Sequence, residues 1–472
     1  MSTPHKKWSG SGAKGAPERK RTHGLRLAAI GLEAEFAVFV DDRQVRPEDV
    51  FGDPRAFVRA PLVHRKGTSY HLPTGDAVYF DTGVIEVATP IIEIEEGCAA
   101  RAGRSLWESI LFVRGELDAW ERRHGRNVRL VGFSTHYNIS FDVPPAQQGD
   151  SRNVEKLAYL LAHILPAPVM LLATNKRSTG VGVRPRGDRI EVTVDFTPSA
   201  SLMIATGAFI TGVAREVMKW PSFEMETLES AGLPIMADLH PMPHTSRHGW
   251  LARADCYPQN PFTTPPDEPV WRIRSGVPER HAEKWPGRRG GVVFRGIHRG
   301  QPPPQRRRST YRPLEGAPRW PASGWGCQDV SRSHTTPSHE ILSLREIAQR
   351  TFHHFRLGIR RIAEPFTFRL IGAVLSGRAP SLLDLPDRPE EYEDVGRLCL
   401  WDDLFPERVL SRSRYERILI RAISGQKLWI GGWCFTPVGL RGWSEVVFSR
   451  DADRSRHTFP IDYLLDHLDR WG

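Results

Sequence analysis

Apolar and polar residues alternate along four segments of the chain, and this alternation predicts β-strands. The predicted strands are 27–40, 78–88, 127–142 and 188–196. Elsewhere, apolar residues recur at the three- and four-residue spacing of amphipathic or buried helices. The predicted helices are 98–125, 153–165, 199–218 and 338–362. Strands and helices interleaved in this order favour an α+β fold built around a mostly antiparallel sheet.

The character of the sequence changes along the chain and predicts its domain organisation. Residues 1–25 are rich in Gly, Ser and Lys and lack periodicity, which predicts a disordered basic arm. Residues 26–380 are expected to form the main domain, with a Pro- and Arg-rich insertion at about 233–335. Residues 381–472 are expected to form a small C-terminal domain that contains a short sheet.

The net charge of +10 is concentrated in two segments. Residues 1–26 carry +6 and residues 286–313 carry +8, which leaves −4 for the remaining residues. Basic, aromatic-containing segments can bind nucleic acid, but the Arg- and Trp-rich middle of the chain also suits an acidic polypeptide. A plain disordered insertion is a third interpretation of the same composition.

Cysteine usage and hydropathy indicate the cellular setting. The five cysteines are scattered without Cys-x-x-Cys spacing, which favours reduced thiols over a disulfide framework or a zinc site. No apolar run approaches the ~20 residues of a membrane span, and the N-terminus lacks a signal-peptide core. We therefore expect a cytoplasmic protein.

Carboxylates interrupt the apolar pattern of the first predicted strand. In the segment GLEAEF, Glu33 and Glu35 are two residues apart, so their side chains point to the same face of a strand. The apolar residues between and beside them point to the opposite face. On its own, this pattern also fits a strand with one face in solvent.

The other three predicted strands carry similar polar groups. Glu86 interrupts the second strand, His136 lies with Asn138 on one face of the third, and Glu191 lies with Arg189 on one face of the fourth. If these strands are neighbours, their polar groups meet on one face of the sheet, where unneutralised carboxylates would repel one another.

A shared sheet face of this composition predicts a metal site. Carboxylate oxygens with a single imidazole suit Mg²⁺ or Mn²⁺ rather than a thiol-loving metal. The predicted metal ligands are Glu33, Glu35, Glu86, His136 and Glu191. The nearby arginines, Arg184, Arg186 and Arg189, are expected to contact phosphate.

Taken in order, these motifs resemble the glutamine synthetase superfamily. The resemblance covers about residues 27–220 and rests on the Glu-x-Glu strand, the later EVAT strand, the Gly-x-x-x-His strand and the RIEV strand followed by an apolar helix. Within the superfamily, the segment YFDTGVIEVATP is most similar to a signature of the Pup ligase (PafA) and depupylase (Dop) branch. The glutamate–cysteine ligase-like branch is the second choice.

The resemblance implies a curved, mostly antiparallel sheet, backed by helices, that binds ATP and two or three Mg²⁺ ions. It implies that Asp81 takes the place of the catalytic aspartate, as a base towards the amine or as a nucleophile in a hydrolytic relative. Arg184, Arg189 and Asn138 are expected to contact the nucleotide. From the residues alone, Asp81 also fits an aspartate that caps the turn at Thr82 and Gly83.

The function implied by the resemblance is an ATP- and Mg²⁺-dependent carboxylate–amine ligase that forms an amide or isopeptide bond through an acyl phosphate. The alternatives are a deamidase or isopeptidase of the same fold, a small-molecule glutamate–cysteine ligase-like enzyme and a non-catalytic basic nucleic-acid-binding protein. The expected partners are a carboxylate and an amine substrate, with an acidic peptide or Pup-like modifier as one candidate. Neither nucleic acid nor a membrane is expected as a partner.

Overall fold

The main sheet is built around two long strands that pair with each other along their whole length. The computed structural model describes residues 26–142, 152–243, 249–274, 340–385, 412–441, 443 and 445–471. Twelve strands of the described residues form the main sheet: β1 (Arg26–Val40), β2 (Arg43–Val45), β3 (Val63–Lys66), β4 (Ser69–His71), β5 (Ala77–Asp81), β6 (Val84–Ala88), β7 (Ile92–Glu93), β8 (Val128–Asp142), β9 (Val181–Pro185), β10 (Arg189–Asp195), β11 (Met242–Pro243) and β12 (Trp250–Ala252).

The main sheet is antiparallel at every pairing. The strand order is β11-β12-β9-β10-β8-β1-β6-β5-β4-β3, with β2 and β7 also paired to β1. The four predicted strands are therefore neighbours, in the order β6-β1-β8-β10. This confirms the arrangement on which the predicted metal site depends.

The prediction of one continuous strand over 78–88 was wrong, because the segment forms a hairpin. Thr82 and Gly83 separate β5 from β6, and both have positive φ angles, of 53° and 98°. A two-residue turn with positive φ at both positions matches the right-handed twist of the flanking strands, and glycine adopts it without strain.

One face of the main sheet is apolar and is covered by helices. In β1, the alternate residues Leu32, Ala34 and Phe36 are fully buried on this face, as the period of a strand requires. The helices of the described residues are α1 (Pro47–Phe51), α2 (Cys98–His124), α3 (Arg152–Ile164), α4 (Pro166–Ala173), α5 (Ala200–Val217), α6 (Met225–Ser230), α7 (Leu344–Arg360), α8 (Pro365–Leu375), α9 (Arg414–Ile423) and α10 (Ile461–Leu465). Short 3₁₀ turns occupy Pro54–Ala56, Ala254–Cys256, Leu382–Asp384 and Leu468–Arg470.

Helices α2 and α5 lie against the sheet, and α7 and α8 pack outside α5. Helix α5 is long and apolar enough to pass a membrane-span test by length and composition, as is the bent pair α3 and α4 among the described residues. Because 78% of the 18 residues of α5 are buried inside the protein, we interpret α5 as the core helix of the helical layer.

The C-terminal part of the chain forms its own sheet and core. Strands β15 (Leu428–Ile430), β16 (Trp433–Arg441), β17 (Glu445–Arg450) and β18 (Arg456–Pro460) pair in sequence order. A separate apolar cluster joins this sheet to α9 and α10. The described residues on both sides of 277–338 belong to one compact unit, so this sheet packs on the main body.

A buried ion pair links the C-terminal part to the main body. Arg104 of α2 donates to Glu416 of α9, with 2.5 Å between Nη2 and Oε1, and both side chains are almost completely buried. Arg412 adds a second, longer contact of 3.5 Å to the same carboxylate.

Part of the predicted insertion contributes to the fold. Strands β11 and β12 extend the main sheet beyond β9, and β13 (Trp271–Ile273) pairs with β14 (Glu340–Leu342) in a two-stranded sheet. The basic segments 1–25 and 286–313 lie outside the described residues. The predicted fold class, an α+β fold with a mostly antiparallel sheet backed by helices and a smaller C-terminal domain, is confirmed.

Candidate functional site

The polar face of the main sheet collects the acidic residues of the predicted strands. In the register of the sheet, Glu33 of β1 lies opposite His136 of β8, and Glu35 lies opposite Glu86 of β6. Residues that lie directly opposite each other in a sheet project to the same face, so these four side chains share one surface.

The β5–β6 hairpin brings Asp81 to the same surface. Tyr79 lies directly opposite Glu86, and Asp81 is two residues further along β5. The even spacing places both side chains on the face of Glu86. The hairpin turn at Thr82 and Gly83 therefore positions the predicted catalytic residue.

Two three-residue clusters with metal-ligand geometry lie on this surface. The first consists of Glu33, Glu86 and His136, and the second consists of Glu35, Asp81 and Glu86. Within each cluster, one potential ligand atom from each residue lies within 4.8 Å of the others. Glu86 belongs to both clusters, as a carboxylate that bridges two cations would.

The side chains of these clusters are withdrawn from solvent. Glu86 is 3% exposed and His136 is 5% exposed. The side chain of Glu33 keeps 18% of its surface accessible, so the first cluster retains access to solvent.

A hydrogen bond to Glu33 and a longer ion-pair contact with Glu35 hold the imidazole between two carboxylates. His136 Nδ1 lies 3.4 Å from Glu33 Oε2, and its Nε2 lies 3.7 Å from Glu35 Oε1. The hydroxyl of Ser134 donates to Glu35 Oε2 at 2.6 Å and lies 3.1 Å from His136 Nε2. Ser134 therefore orients both a carboxylate and the imidazole.

The pKa values of the neighbouring carboxylates Glu86 and Glu33 shift in opposite directions. Burial, together with the charge of Glu33, raises the pKa of Glu86 to about 10. Burial would also raise the pKa of Glu33, but the hydrogen bond and positive charge of His136, together with Arg189 and Asn138, outweigh burial and lower that pKa to about 2. One carboxylate of a close pair ionises and the other resists ionisation, because two adjacent negative charges are unfavourable in a buried site.

The imidazole of His136 compensates the carboxylates around it. Burial lowers the pKa of His136, but the hydrogen bond to Glu33 and the charges of Glu35 and Glu191 raise it more strongly, so the net shift is upward. A metal-binding histidine must be neutral, so a cation that bound here would displace this proton.

The donor set fits a hard divalent cation. Each cluster offers carboxylate oxygens, the first adds one imidazole, and neither contains a thiol. This set suits Mg²⁺ or Mn²⁺, and a cation would offset the burial and the repulsion that together raise the pKa of Glu86.

Arginines line the face on the β9–β10 side of the acidic clusters. Arg184 of β9 and Arg186 of the following turn both form ion pairs with Glu191 of β10. Arg189 donates from Nε to Asn138 Oδ1 at 3.0 Å.

Comparisons with known proteins add a likeness to solved structures. No protein-family model matches this chain, and no curated protein matches its sequence. Among solved structures, the chain is similar to the complex between the prokaryotic ubiquitin-like protein Pup and its ligase PafA. The sequences are 11% identical, the TM-score is 0.44, and the alignment covers 94% of this chain and 91% of the matched chain. The residue roles proposed below therefore rest on the geometry of the sheet face.

The structure brings most of the predicted site residues together. The five residues in the two clusters are Glu33, Glu35, Asp81, Glu86 and His136. Glu191 lies on the same face but belongs to neither cluster, because it pairs with Arg184 and Arg186 instead. Asn138 lies opposite Glu191 and bonds with Arg189. The metal-binding, nucleotide-binding and catalytic roles stay predictions.

Several residues of this surface were absent from the sequence prediction. Tyr79 and Ser134 have even spacing with Asp81 and His136 in their strands, and this spacing was the available signal. Arg65 of β3 gave no such local signal. Its guanidinium lies 4.7 Å from the ring of Trp443, in the turn between β16 and β17, which also packs edge-on against His71.

Arg65 lies within electrostatic reach of the acidic clusters. Burial lowers the pKa of Arg65, against the opposing effect of the negative charges of Glu33 and Glu86. The acidic clusters therefore have guanidinium groups on both sides, Arg65 towards the β3 edge and three arginines on the β9–β10 side.

Proposed function

We propose that this chain is an ATP-dependent enzyme of the carboxylate–amine ligase class that uses Mg²⁺ or Mn²⁺ on the polar face of its main sheet. One observation carries the proposal: two largely buried three-residue clusters share Glu86 and lie between guanidinium groups. Paired cations flanked by arginines are an arrangement that neutralises the oxygens of a transferring phosphoryl group.

The assignment of ligands follows the two clusters. Glu33, Glu86 and His136 would hold one cation, and Glu35 and Glu86 would hold the other, with Asp81 beside it as the base. ATP would supply the phosphoryl group that converts a substrate carboxylate into an acyl phosphate, with ADP as the leaving group, and the bound cations would neutralise the phosphate oxygens. This activation is needed because a carboxylate is a poor electrophile towards an amine.

The chain's own groups would then position the substrate and move a proton. Arg189, held by Asn138, and Arg65, held against Trp443, would contact phosphate oxygens. Asp81 lies at the end of β5 and is only partly buried, so a substrate amine can reach it. Its carboxylate would take the proton that the amine loses when it attacks the acyl phosphate.

The proposal is tested by nucleotide turnover with the full chain. The chain is incubated with ATP, Mg²⁺ and panels of amino acids or acidic peptides, and the release of ADP and phosphate is followed. We expect substrate-dependent release that falls at least ~10²-fold in Glu33→Gln and Glu86→Gln. The matched control, Glu226→Gln, removes an exposed carboxylate on α6 and should keep full turnover.

The outcomes separate the competing functions. ATP binding without consumption would favour a hydrolase of the same fold, such as an isopeptidase. Unchanged turnover in both Glu33→Gln and Glu86→Gln would end the metal-site assignment. Salt-sensitive binding to nucleic acid, lost when 286–313 is deleted, would favour the nucleic-acid-binding alternative.

The role of Asp81 has its own test. Asp81→Asn keeps the size and shape of the side chain but removes its basicity, so we expect Mg²⁺·ADP to bind within about 10-fold of the unchanged chain while product formation is lost. A variant that still forms product would return Asp81 to the role of a turn-capping residue.

A further inference from the structure

The position of Glu191 in the sheet separates it from both cation clusters. Glu191 lies opposite Asn138 on one side and opposite Arg184 on the other. The residue of β10 that lies opposite His136 is Thr193, which offers no carboxylate. The position of β10 that lies beside the first cluster therefore offers no acidic ligand.

Both oxygens of the Glu191 carboxylate already have cationic partners. Oε1 pairs with Nη2 of Arg184, and Oε2 accepts from Nε of Arg186 at 3.2 Å. The Nη2 atom of Arg186 also lies 3.4 Å from Oε1. Glu191 is 2% exposed and Arg184 is 4% exposed, so water cannot replace these partners easily.

Two energetic costs would oppose the binding of a cation by Glu191. The carboxylate would have to leave a buried ion pair, and removal of one partner from such a pair is strongly unfavourable. The released guanidinium groups would then lie beside a divalent cation of the same sign, together with Arg189.

We propose that Glu191 is a positioning residue that anchors Arg184 and Arg186, and that the polar face holds two divalent cations rather than three. This inference rests on the proposed function, because it assumes that the polar face binds divalent cations and a nucleotide. The face is divided into a cation half on β1, β5, β6 and β8 and a guanidinium half on β9 and β10. The guanidinium half binds the anionic phosphates of the nucleotide.

The number of bound cations tests this division directly. Mn²⁺ is titrated into the full chain in the presence of saturating ADP, and free Mn²⁺ is counted by electron paramagnetic resonance. We expect two Mn²⁺ ions per chain, and we expect Glu191→Gln to bind the same number with affinities changed by less than about 3-fold. Glu33→Gln should lose an ion.

Nucleotide affinity provides the second readout, measured as ADP binding by calorimetry. Glu191→Gln should weaken ADP binding at least ~10-fold, because Arg184 and Arg186 lose the group that orients them. If Glu191→Gln does not fold, Arg186→Gln replaces it, because Arg186 is only half-buried and Arg184 keeps its own ion pair with Glu191. Arg186→Gln should also bind two Mn²⁺ ions and bind ADP more weakly, whereas Arg417→Gln on the exposed side of α9 should bind both normally.

Three outcomes would contradict the inference. Three ions in the unchanged chain, or the loss of an ion in Glu191→Gln, would make Glu191 a metal ligand. Unchanged ADP affinity in both Glu191→Gln and Arg186→Gln would remove its anchoring role. All three results leave the proposed function intact, whereas an absence of Mn²⁺ binding by the unchanged chain would overturn the proposed function and this inference with it.

Discussion

Glu86 is the residue at which the stability of the chain and its proposed chemistry oppose each other. It is buried beside Glu33, Glu35 and Asp81, and its pKa of about 10 lies far above the ordinary value of 4.5. The unfolded chain ionises Glu86 above pH 4.5, whereas the folded chain keeps it protonated, so folding becomes less favourable as pH rises through this range. A cation that binds the cluster removes this penalty.

We predict that Glu86→Gln stabilises the cation-free chain at pH 7. Glutamine resembles the protonated carboxyl and never ionises, so the variant should gain about 1–3 kcal/mol of unfolding free energy at pH 7 and little at pH 4.5. The measurement is urea unfolding in EDTA at both pH values. Added Mn²⁺ should raise the melting temperature of the unchanged chain but not that of Glu86→Gln.

The control for this prediction is Glu226→Gln, which should change the unfolding free energy by less than about 0.5 kcal/mol at either pH. A Glu86→Gln variant that is less stable than the unchanged chain at pH 7 would show that Glu86 is ionised and well compensated in the folded protein.

His163 makes folding stability depend on pH in the sense opposite to Glu86. Burial in α3 lowers the pKa of His163 to about 4 from its ordinary 6.5. The unfolded chain takes up the proton below pH 6.5 while the folded chain does not, so stability is fully present above pH 6.5 and is lost as pH falls towards 4. We predict that His163→Gln loses up to about 3 kcal/mol less unfolding free energy on acidification than the unchanged chain does.

The measurement is the difference in unfolding free energy between pH 7 and pH 4.5, compared for the unchanged chain, His163→Gln and the exposed control His353→Gln on α7. Equal differences in all three proteins would mean that His163 is protonated in the folded state as readily as in the unfolded state.

At the scale of secondary-structure elements, the helical layer depends on close backbone contact. A Cβ atom at Gly212 of α5 would lie 2.5 Å from the Cα of Ile359 in α7. The two helices approach closely because this position has no side chain.

We predict that Gly212→Ala destabilises the chain by about 1–3 kcal/mol, because the added methyl group forces α5 and α7 apart. The matched control is Gly115→Ala in α2, where a Cβ would meet nothing within 4 Å. That change should stabilise the chain by about 0.5–1 kcal/mol through helix propensity. Thermal and urea unfolding compare the two, and equal effects would contradict the close packing of α5 and α7.

At the same scale, part of the site could be predicted from the sequence and part could not. The alternation around Glu33, His136 and Glu191 predicts their strands and the face that each side chain occupies, because these properties are local. The segment 78–88 was predicted as one strand because β-prone residues lie on both sides of Thr82 and Gly83. The pairing of Glu191 with Arg184 depends on the register between β9 and β10, which the alternation of either strand does not specify.

At the scale of the whole molecule, the fold class was predictable because the order of strands and helices restricts the topology. The contact of the C-terminal part with the site could not be predicted, because no periodic pattern connects Trp443 with Arg65. Contacts between residues so distant in sequence arise from packing, and packing is settled by shape rather than by local propensity.

We predict that Glu416→Gln destabilises the chain by about 2–4 kcal/mol, because the buried Arg104 would lose its short ion pair and keep the longer contact of 3.5 Å with the partly exposed Glu108. Hydrogen exchange should show faster opening of β15–β18 than of the main sheet in this variant. The control, Arg417→Gln on the exposed side of the same helix, should change neither property. A small loss shared equally by both sheets would mean that the ion pair does not join the C-terminal part to the main body.

The contact between Arg65 and Trp443 closes a loop that contains most of the chain. Loop closure of this length is slow compared with the formation of local hairpins and helices, so this contact forms late in folding. The acidic clusters on β1, β5, β6 and β8 involve nearer neighbours and assemble earlier. In a refolding experiment, Mn²⁺ binding should therefore precede ADP binding at full affinity, because the chain acquires its cation ligands before the Arg65–Trp443 contact forms.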